Sequence, residues 1–337
     1  MEKSVADGVI LAIESSCDET AVAVLVGGVV KSNVISSQIE IHKRFGGVVP
    51  EIASRNHILA IGNLVKEALQ EANVKKEEIT AIAVTYGAGL LGALLVGVSY
   101  AKALSYALNV PLYAIDHIKG HVYANFISDK ELKTPFLCLV ASGGHTELLE
   151  VRSYKDMKII GQTMDDAAGE AFDKVARVLG LPYPGGPQIE AHAKCGKDVI
   201  PMPRPFKGEK HYNFSYSGLK TAVINYVHNA KARGEEINAD DVACSFQNAA
   251  VGMLVDNAVN AAREFGYKKI VLAGGVGANG ALREQLTKKA SRYKISVVLP
   301  PKSLCTDNAA MIGMAAYHAI KEGLSPADMT LDAVPNL

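Results

Sequence analysis

The 337-residue sequence carries no net charge, because lysine plus arginine and aspartate plus glutamate both total 35. A chain so balanced has no global field to attract nucleic acid or an anionic membrane, so any such partner must meet a local patch. Cysteine is scarce and scattered. Cys17, Cys138, Cys195, Cys244 and Cys305 form no close pairs, which argues against a disulfide framework or a thiolate zinc cluster and fits a reducing cytosol. The N-terminus, Met1 to Gly8, has acidic residues and lacks the apolar core of a signal peptide. The longest apolar stretch, Val84 to Val110, is interrupted by Gly87, Gly89, Gly92, Gly97 and then Lys102. It reads as a strand end, a glycine turn and a buried helix, and no membrane partner is expected.

What is present is an ordinary globular composition, 49% hydrophobic and 21% charged, in a chain long enough for two hydrophobic cores. The chain also repeats itself. ILAIE, SSCDET and AVAVL read as strand, polar turn and strand; FLCLVA, SGGHT and ELLEV, beginning at Phe136, read the same way, with Ser142 and Thr146 matching Ser16 and Thr20 at one common offset. Each hairpin is followed by an apolar helix, a strand (AIAVTY or KIVLA), a glycine turn (GAG or GGVGANG) and another helix. The second set places helices from about Ala243 to Phe265 and from near Ala281.

A duplicated α/β lobe of this kind resembles the plan of the actin, Hsp70 and sugar-kinase (ASKHA) superfamily, with a nucleotide-type ligand expected in a central interlobe cleft. The lobes are expected at 1–133 plus 308–337 and at 134–307, the second carrying an insertion at about 161–240. Matched glycine and hydroxyl turns would expose backbone N–H groups that cradle phosphate oxygens.

Several local patterns carry chemistry beside a plainer reading. His117 and His121, in HIKGH, stand one helical turn apart, the spacing at which two imidazoles share a metal. A zinc peptidase needs glutamate directly after the first histidine, and Ile118 stands there. Thr306 or Asp307 is most simply the N-cap of the apolar helix that follows. Asp166, Glu170 and Asp173 are spaced to line one helical face, with Lys174 and Arg177 close by, and PYPGGP follows as a rigid turn open to a ligand. Between Lys194 and Lys220, Lys197, Arg204, Lys207, Lys210 and His211 alternate with Phe206, Tyr212, Phe214 and Tyr216, a mixture suited to RNA or to a solvated loop.

Taken in order, ESSCDET, GGVVPEIASRNH, HIKGH, LVASGGHTELLEV, DDAAGEAFDKVARVLGLPYPGGP, FSYSGLKTAV, GGVGANGALR and CTDNAAMI resemble the tRNA N6-adenosine threonylcarbamoyltransferase family in its bacterial form, from about Val9 to Tyr317. The resemblance implies transfer of a threonylcarbamoyl group from threonylcarbamoyl-AMP to N6 of the adenosine beside the anticodon, in tRNAs reading codons that start with A. It implies His117, His121 and Asp307 as ligands of one divalent metal, Fe(II) ahead of Zn(II). It also implies substrate contacts at Val140, Ala141, Ser142, Gly143, Gly144, Asp173, Gly186, Glu190 and Asn279. Glu190 departs from the commoner aspartate and Gly277 from the usual serine or alanine.

The chemistry agrees with that expectation. An exocyclic adenine amine is a poor nucleophile, so the acyl carbon must be activated by a good leaving group and a Lewis acid. No side chain stands out as a general base. Implied partners are a synthase that makes the adenylate, with a TsaB-like paralogue and a TsaE-like ATPase, or a kinase-containing complex in archaea and eukaryotes. A small-molecule kinase or ATPase on the same plan would end its first strand in aspartate, where Glu14 stands, and a non-catalytic scaffold would have no use for the histidine pair.

Overall fold

VILAIE and ETAVAVLV leave almost no polar face, and the strands they form are buried along nearly their whole length, as befits strands covered on both sides. The computed structural model describes residues 5–206 and 211–337. It divides into two units, Met1–Leu132 with Thr306–Leu337, and Lys133–Cys305.

In the first unit, β1 (Val9–Glu14), β2 (Glu19–Val26) and β3 (Val29–Ser37) form an antiparallel meander. A short α1 (Ile39–His42) and the long α2 (Pro50–Glu71) lead to β4 (Ile79–Gly87), α3 (Leu91–Leu108) and β5 (Leu112–Asp116). Then come α4 (His117–Tyr123) and α5 (Asn125–Ser128). The sheet order is β3-β2-β1-β4-β5, with β4 and β5 parallel to β1's direction. Alternate residues Leu11, Ile13, Val22 and Val24 pack with Ile61, Leu64 and Val65 of α2 and Val98 and Ala101 of α3. Each buried leucine, isoleucine or valine among them contributes roughly 1.5–3 kcal/mol.

Helix α3 is long and apolar enough to cross a membrane by composition, but its buried side, from Ala93 to Ser105, packs on β4 as a sheet-covering helix does. The sequence reading of a buried helix is thus half right. Leu91, Leu95 and Tyr106 are exposed.

The second unit repeats the plan with β6 (Phe136–Ala141), β7 (Thr146–Val151) and β8 (Met157–Gln162). Three helices, α6 (Ala168–Val178), α7 (Gly185–Cys195) and α8 (Ser217–Ala232), precede α9 (Ala239–Glu264). The unit closes with β9 (Lys269–Ala273), α10 (Gly280–Ser291) and β10 (Ser296–Val298). Its sheet order, β10-β9-β6-β7-β8, is that of the first sheet written backwards. Glu14 pairs with Ala21 in the first hairpin, and at the equivalent positions Val140 pairs with Glu147. Helix α9 starts earlier than the pattern around Ala243 indicates because the Asn238 side chain accepts from Asp240 N and caps it there.

After Cys305 the chain rejoins the first unit as α11 (Ala309–Lys321), packed on β1, β2 and α4. A Cβ on Gly313 would stand 2.2 Å from Leu25 Cδ1, so glycine there lets the helix approach the sheet closely. Thr306 and Asp307 therefore belong with the first unit, just ahead of the boundary read from the sequence.

Candidate active site

Strand β5 ends at Asp116, whose carboxylate accepts from Ile118 N at 2.7 Å and Lys119 N at 3.2 Å and so starts α4 at His117. One turn later comes His121, and the two imidazole rings stand 4.7 Å apart, nearly perpendicular. Asp307 joins them: its Oδ1 lies 3.5 Å from His117 Nε2 and 3.2 Å from His121 Nε2. Each of the three residues offers a ligand atom, and these atoms all lie within 4.8 Å of one another.

Asp307 is not the helix cap that the sequence made the simplest choice. Asn308 caps α11 by accepting from Met311 N at 3.0 Å and is held by donating to Thr306 O at 2.8 Å. That one-residue difference leaves the Asp307 carboxylate turned toward the histidines.

Sequence reasoning missed the residues behind His117. Glu14, fully buried at the end of β1, accepts from Ser16 N at 2.5 Å and from Thr85 Oγ1 at 2.6 Å, and its Oε2 lies 3.1 Å from His117 Nδ1. Ser16 Oγ is also 3.1 Å from that nitrogen. A carboxylate on the far nitrogen of a histidine fixes the ring and directs Nε2 outward, as at many metal sites. The only sequence signal was the glutamate at a strand end where a kinase would carry aspartate.

Burial lowers the pKa of His117, but Asp307 and Glu14 outweigh it and push the ring up to about 9 in the metal-free chain. Burial, with Asp307 and Asp18 nearby, pushes Glu19 up to about 9 as well. Burial, again with Asp18 and Asp307 nearby, drives the Cys17 thiol well up, so it stays protonated and is a poor ligand. Both ring nitrogens of His121 are buried and make no hydrogen bond among the described residues, the approach of Nε2 to Asp307 included. An imidazole Nε2 left without a hydrogen bond while it faces the Asp307 carboxylate, with Glu14 and Glu19 nearby, fits a cation.

In the second unit the strand-end turns are rich in glycine. The Ser142 turn is closed by Ser142 N donating to His145 O and His145 N donating to Ser142 Oγ. The Gly143 and Gly144 N–H groups find no acceptor among the described residues. A Cβ added to Gly143, Gly144 or Gly186 would meet nothing within 4 Å, so all three border open space. Gly274, by contrast, is pressed against Ala141 O, which sets the turn after β9 beside the turn after β6.

Asp173 Oδ1 accepts from Gly185 N at 2.7 Å, tying α6 to the start of α7. Glu190 pairs with Lys194 at 3.0 Å and would lie 2.9 Å from a Cβ on Gly280. Asn279 caps α10 through Leu282 N, and its amide donates to Gln247 at 2.8 Å.

One expectation fails, and another holds only in part. Asp166 is not on a helical face with Glu170 and Asp173, because α6 begins only at Ala168; it sits in the turn before the helix and pairs with Lys174 and Lys220. The basic and aromatic segment keeps only part of its rings at the surface: Phe214 and Tyr216 are buried in the second unit's core, whereas Phe206, edge-on to His211, and Tyr212, which donates to Glu264, are part-exposed. Lys207 and Lys210 lie outside the described residues.

With ligands and cradles in place, the fold defines the class first. HypF from T. kodakarensis superposes on 95% of this chain and 48% of its own with a TM-score of 0.63 at 17% identity. A ROK family glucokinase from Streptomyces griseus does so over 94% and 100%, with a TM-score of 0.51 at 12% identity. The fold is the duplicated ASKHA type.

Sequence gives the family. Residues 29–314 match TsaD, tRNA N6-adenosine threonylcarbamoyltransferase. Proteins of that name from Clostridium kluyveri and Clostridium novyi are 55% and 56% identical, each over 97% of both chains. The chain belongs to the TsaD family of tRNA N6-adenosine threonylcarbamoyltransferases, enzymes that transfer a threonylcarbamoyl group to tRNA.

Proposed function

We propose that the chain uses threonylcarbamoyl-AMP as donor and acylates N6 of the adenosine beside the anticodon in tRNAs that read codons starting with A, in the cytosol. His117, His121 and Asp307 would hold one divalent metal, Fe(II) ahead of Zn(II), since two nitrogens and one oxygen suit both. The observation that carries this reading is His121, whose two buried nitrogens make no hydrogen bond among the described residues while its Nε2 faces Asp307.

When bound, such a metal supplies Lewis acidity for acyl transfer. The chain's own part is to orient. Glu14 and Ser16 fix His117. Val140 to Gly144 and Gly186 would offer the adenylate a glycine-lined cradle, in which the free Gly143 and Gly144 N–H groups suit phosphate or carbamoyl oxygens. Asp173 and Glu190 would accept from ribose hydroxyls, with Asn279 beside them.

The tRNA would find its docking charge on exposed Lys194, Lys197 and Arg204, with the part-exposed rings of Phe206 and Tyr212 in the same segment. A TsaB-like paralogue fits the exposed apolar side chains Ile58 and Leu59 of α2 and Leu91 and Leu95 of α3. A TsaE-like ATPase and an adenylate-producing synthase complete the expected set.

His117→Ala, His121→Ala and Asp307→Ala should each purify folded, bind little metal and leave tRNA unmodified even when threonylcarbamoyl-AMP is supplied directly. A full equivalent of metal and normal turnover in Asp307→Ala would refute the ligand set.

A further inference from the structure

Gln247 is a polar residue in the middle of α9, on a helix whose other inward residues are almost all apolar, and only 6% of it is exposed. Its orientation is fixed by a chain of hydrogen bonds. Leu282 N can only donate, so the atom it meets on Asn279 is Oδ1; the amide nitrogen of Asn279 therefore faces Gln247, which must present Oε1. The Gln247 Nε2 group then points away from Asn279 with both hydrogens unclaimed among the described residues. The side chain as a whole is buried, but its Nε2 is not among the buried atoms that lack a partner, so the donor stands where an acceptor from outside the protein can reach it.

We propose that Gln247 is a substrate contact that donates to a ring nitrogen of the adenine base, a step that rests on reading the second unit as the adenylate site. With Oε1 already accepting from Asn279, the side chain can offer only hydrogens, so it engages an acceptor. The phosphate and carbamoyl oxygens are matched by the Gly143 and Gly144 N–H groups, and the ribose hydroxyls by the carboxylates of Asp173 and Glu190. Of the acceptors left over on an adenosine 5′-phosphate, the ring nitrogens of its base are stronger than the ribose ring oxygen. Unlike a side chain that both donates and accepts at the adenine edge, Gln247 would read the ring without touching N6.

AMP is the probe, with its 1-deaza, 3-deaza and 7-deaza analogues, in calorimetry on the full chain. Gln247→Glu keeps an oxygen for Asn279 but replaces the donor by an acceptor, while Gln247→Leu removes both. Both variants should melt near the parent and bind AMP about tenfold more weakly, the loss of one buried hydrogen bond. One deaza analogue should lose a similar factor against the parent and no more against Gln247→Leu. Parent-like AMP binding in both variants, with Asp173→Ala weakened, would overturn the assignment of Gln247 alone. Losses that add equally for every analogue would overturn it too, by showing that Gln247 only holds Asn279. Failure of AMP to bind the parent would remove the adenylate cradle and this contact together.

Discussion

Replacing Glu14 by glutamine tests whether the residues behind the histidines set metal affinity. The side chain is fully buried and its Oε2 faces both Thr85 Oγ1 at 2.6 Å and His117 Nδ1 at 3.1 Å. Glutamine keeps the volume and one acceptor oxygen but loses the charge and places an NH₂ where an oxygen stood. Partners of this kind typically account for 10–100-fold in metal affinity, or about 1.4–2.8 kcal/mol at about 1.4 kcal/mol per decade. Because no solvent screens the pair, the upper half of that range is expected, about 30-fold or more. Competition for zinc against a chromophoric chelator reads the change directly, and a melting curve of the metal-free protein checks that the fold survives. Thr85→Val removes one donor but leaves the charge, so its loss should be smaller. Metal affinity within about twofold of the parent in a folded Glu14→Gln protein would refute the orienting role.

Burial holds His57 and His318 below the ordinary histidine value. The unfolded chain therefore binds protons that the folded chain refuses, and stability should be lost as pH falls from about 6.5 through the lower folded values. His57→Gln should flatten the drop in melting temperature on acidification, and an unchanged slope would exclude His57 as a source. Asn308→Ala should cost about 1 kcal/mol of stability as a lost cap. It should also weaken metal binding by letting Asp307 compete for the vacant cap, whereas Asn308→Ser should restore both; unaltered metal affinity in Asn308→Ala would show that Asp307 is held by something else.

Much of this fold was legible because its signals are local and repeated. Runs such as VILAIE and FLCLVA announce strands buried on both faces, and Ser16 with Thr20 announces the same turn as Ser142 with Thr146. Their roles even run parallel, since Thr20 Oγ1 meets His57 of α2 at 2.7 Å and Thr146 Oγ1 accepts from Ala168 N at the start of α6. The histidine pair was legible too, as one turn of helix brings two rings together wherever the helix lies. Capping chemistry was less so: Thr306, Asp307 and Asn308 can all cap, and only the packing of α11 on β1 and β2 selects Asn308. Composition likewise could not show that Phe214 and Tyr216 fill a core, because a buried ring and a stacking platform are written with the same residues.

The parts that stayed hidden depend on how strands are registered. Glu14 reaches His117 because β4 runs between β1 and β5, pairing with both, so that the ends of all three open on the same edge of the sheet, where ligands of open α/β sheets collect. The second unit repeats that edge with β6 and β9, and the contrast at equivalent positions shows what duplication left free to change. Glu14 and Ser16 in the first turn place polar side chains against a histidine. Val140 and Ser142 in the second are followed by Gly143 and Gly144, whose backbone N–H groups stay uncovered. One backbone plan thus carries two arrangements: side chains that hold a histidine as the proposed cation cage requires, and an exposed main chain whose donors would suit the proposed anion. A sequence reader sees the repeated plan readily. The division of labour becomes visible only when each strand end is placed beside its neighbour.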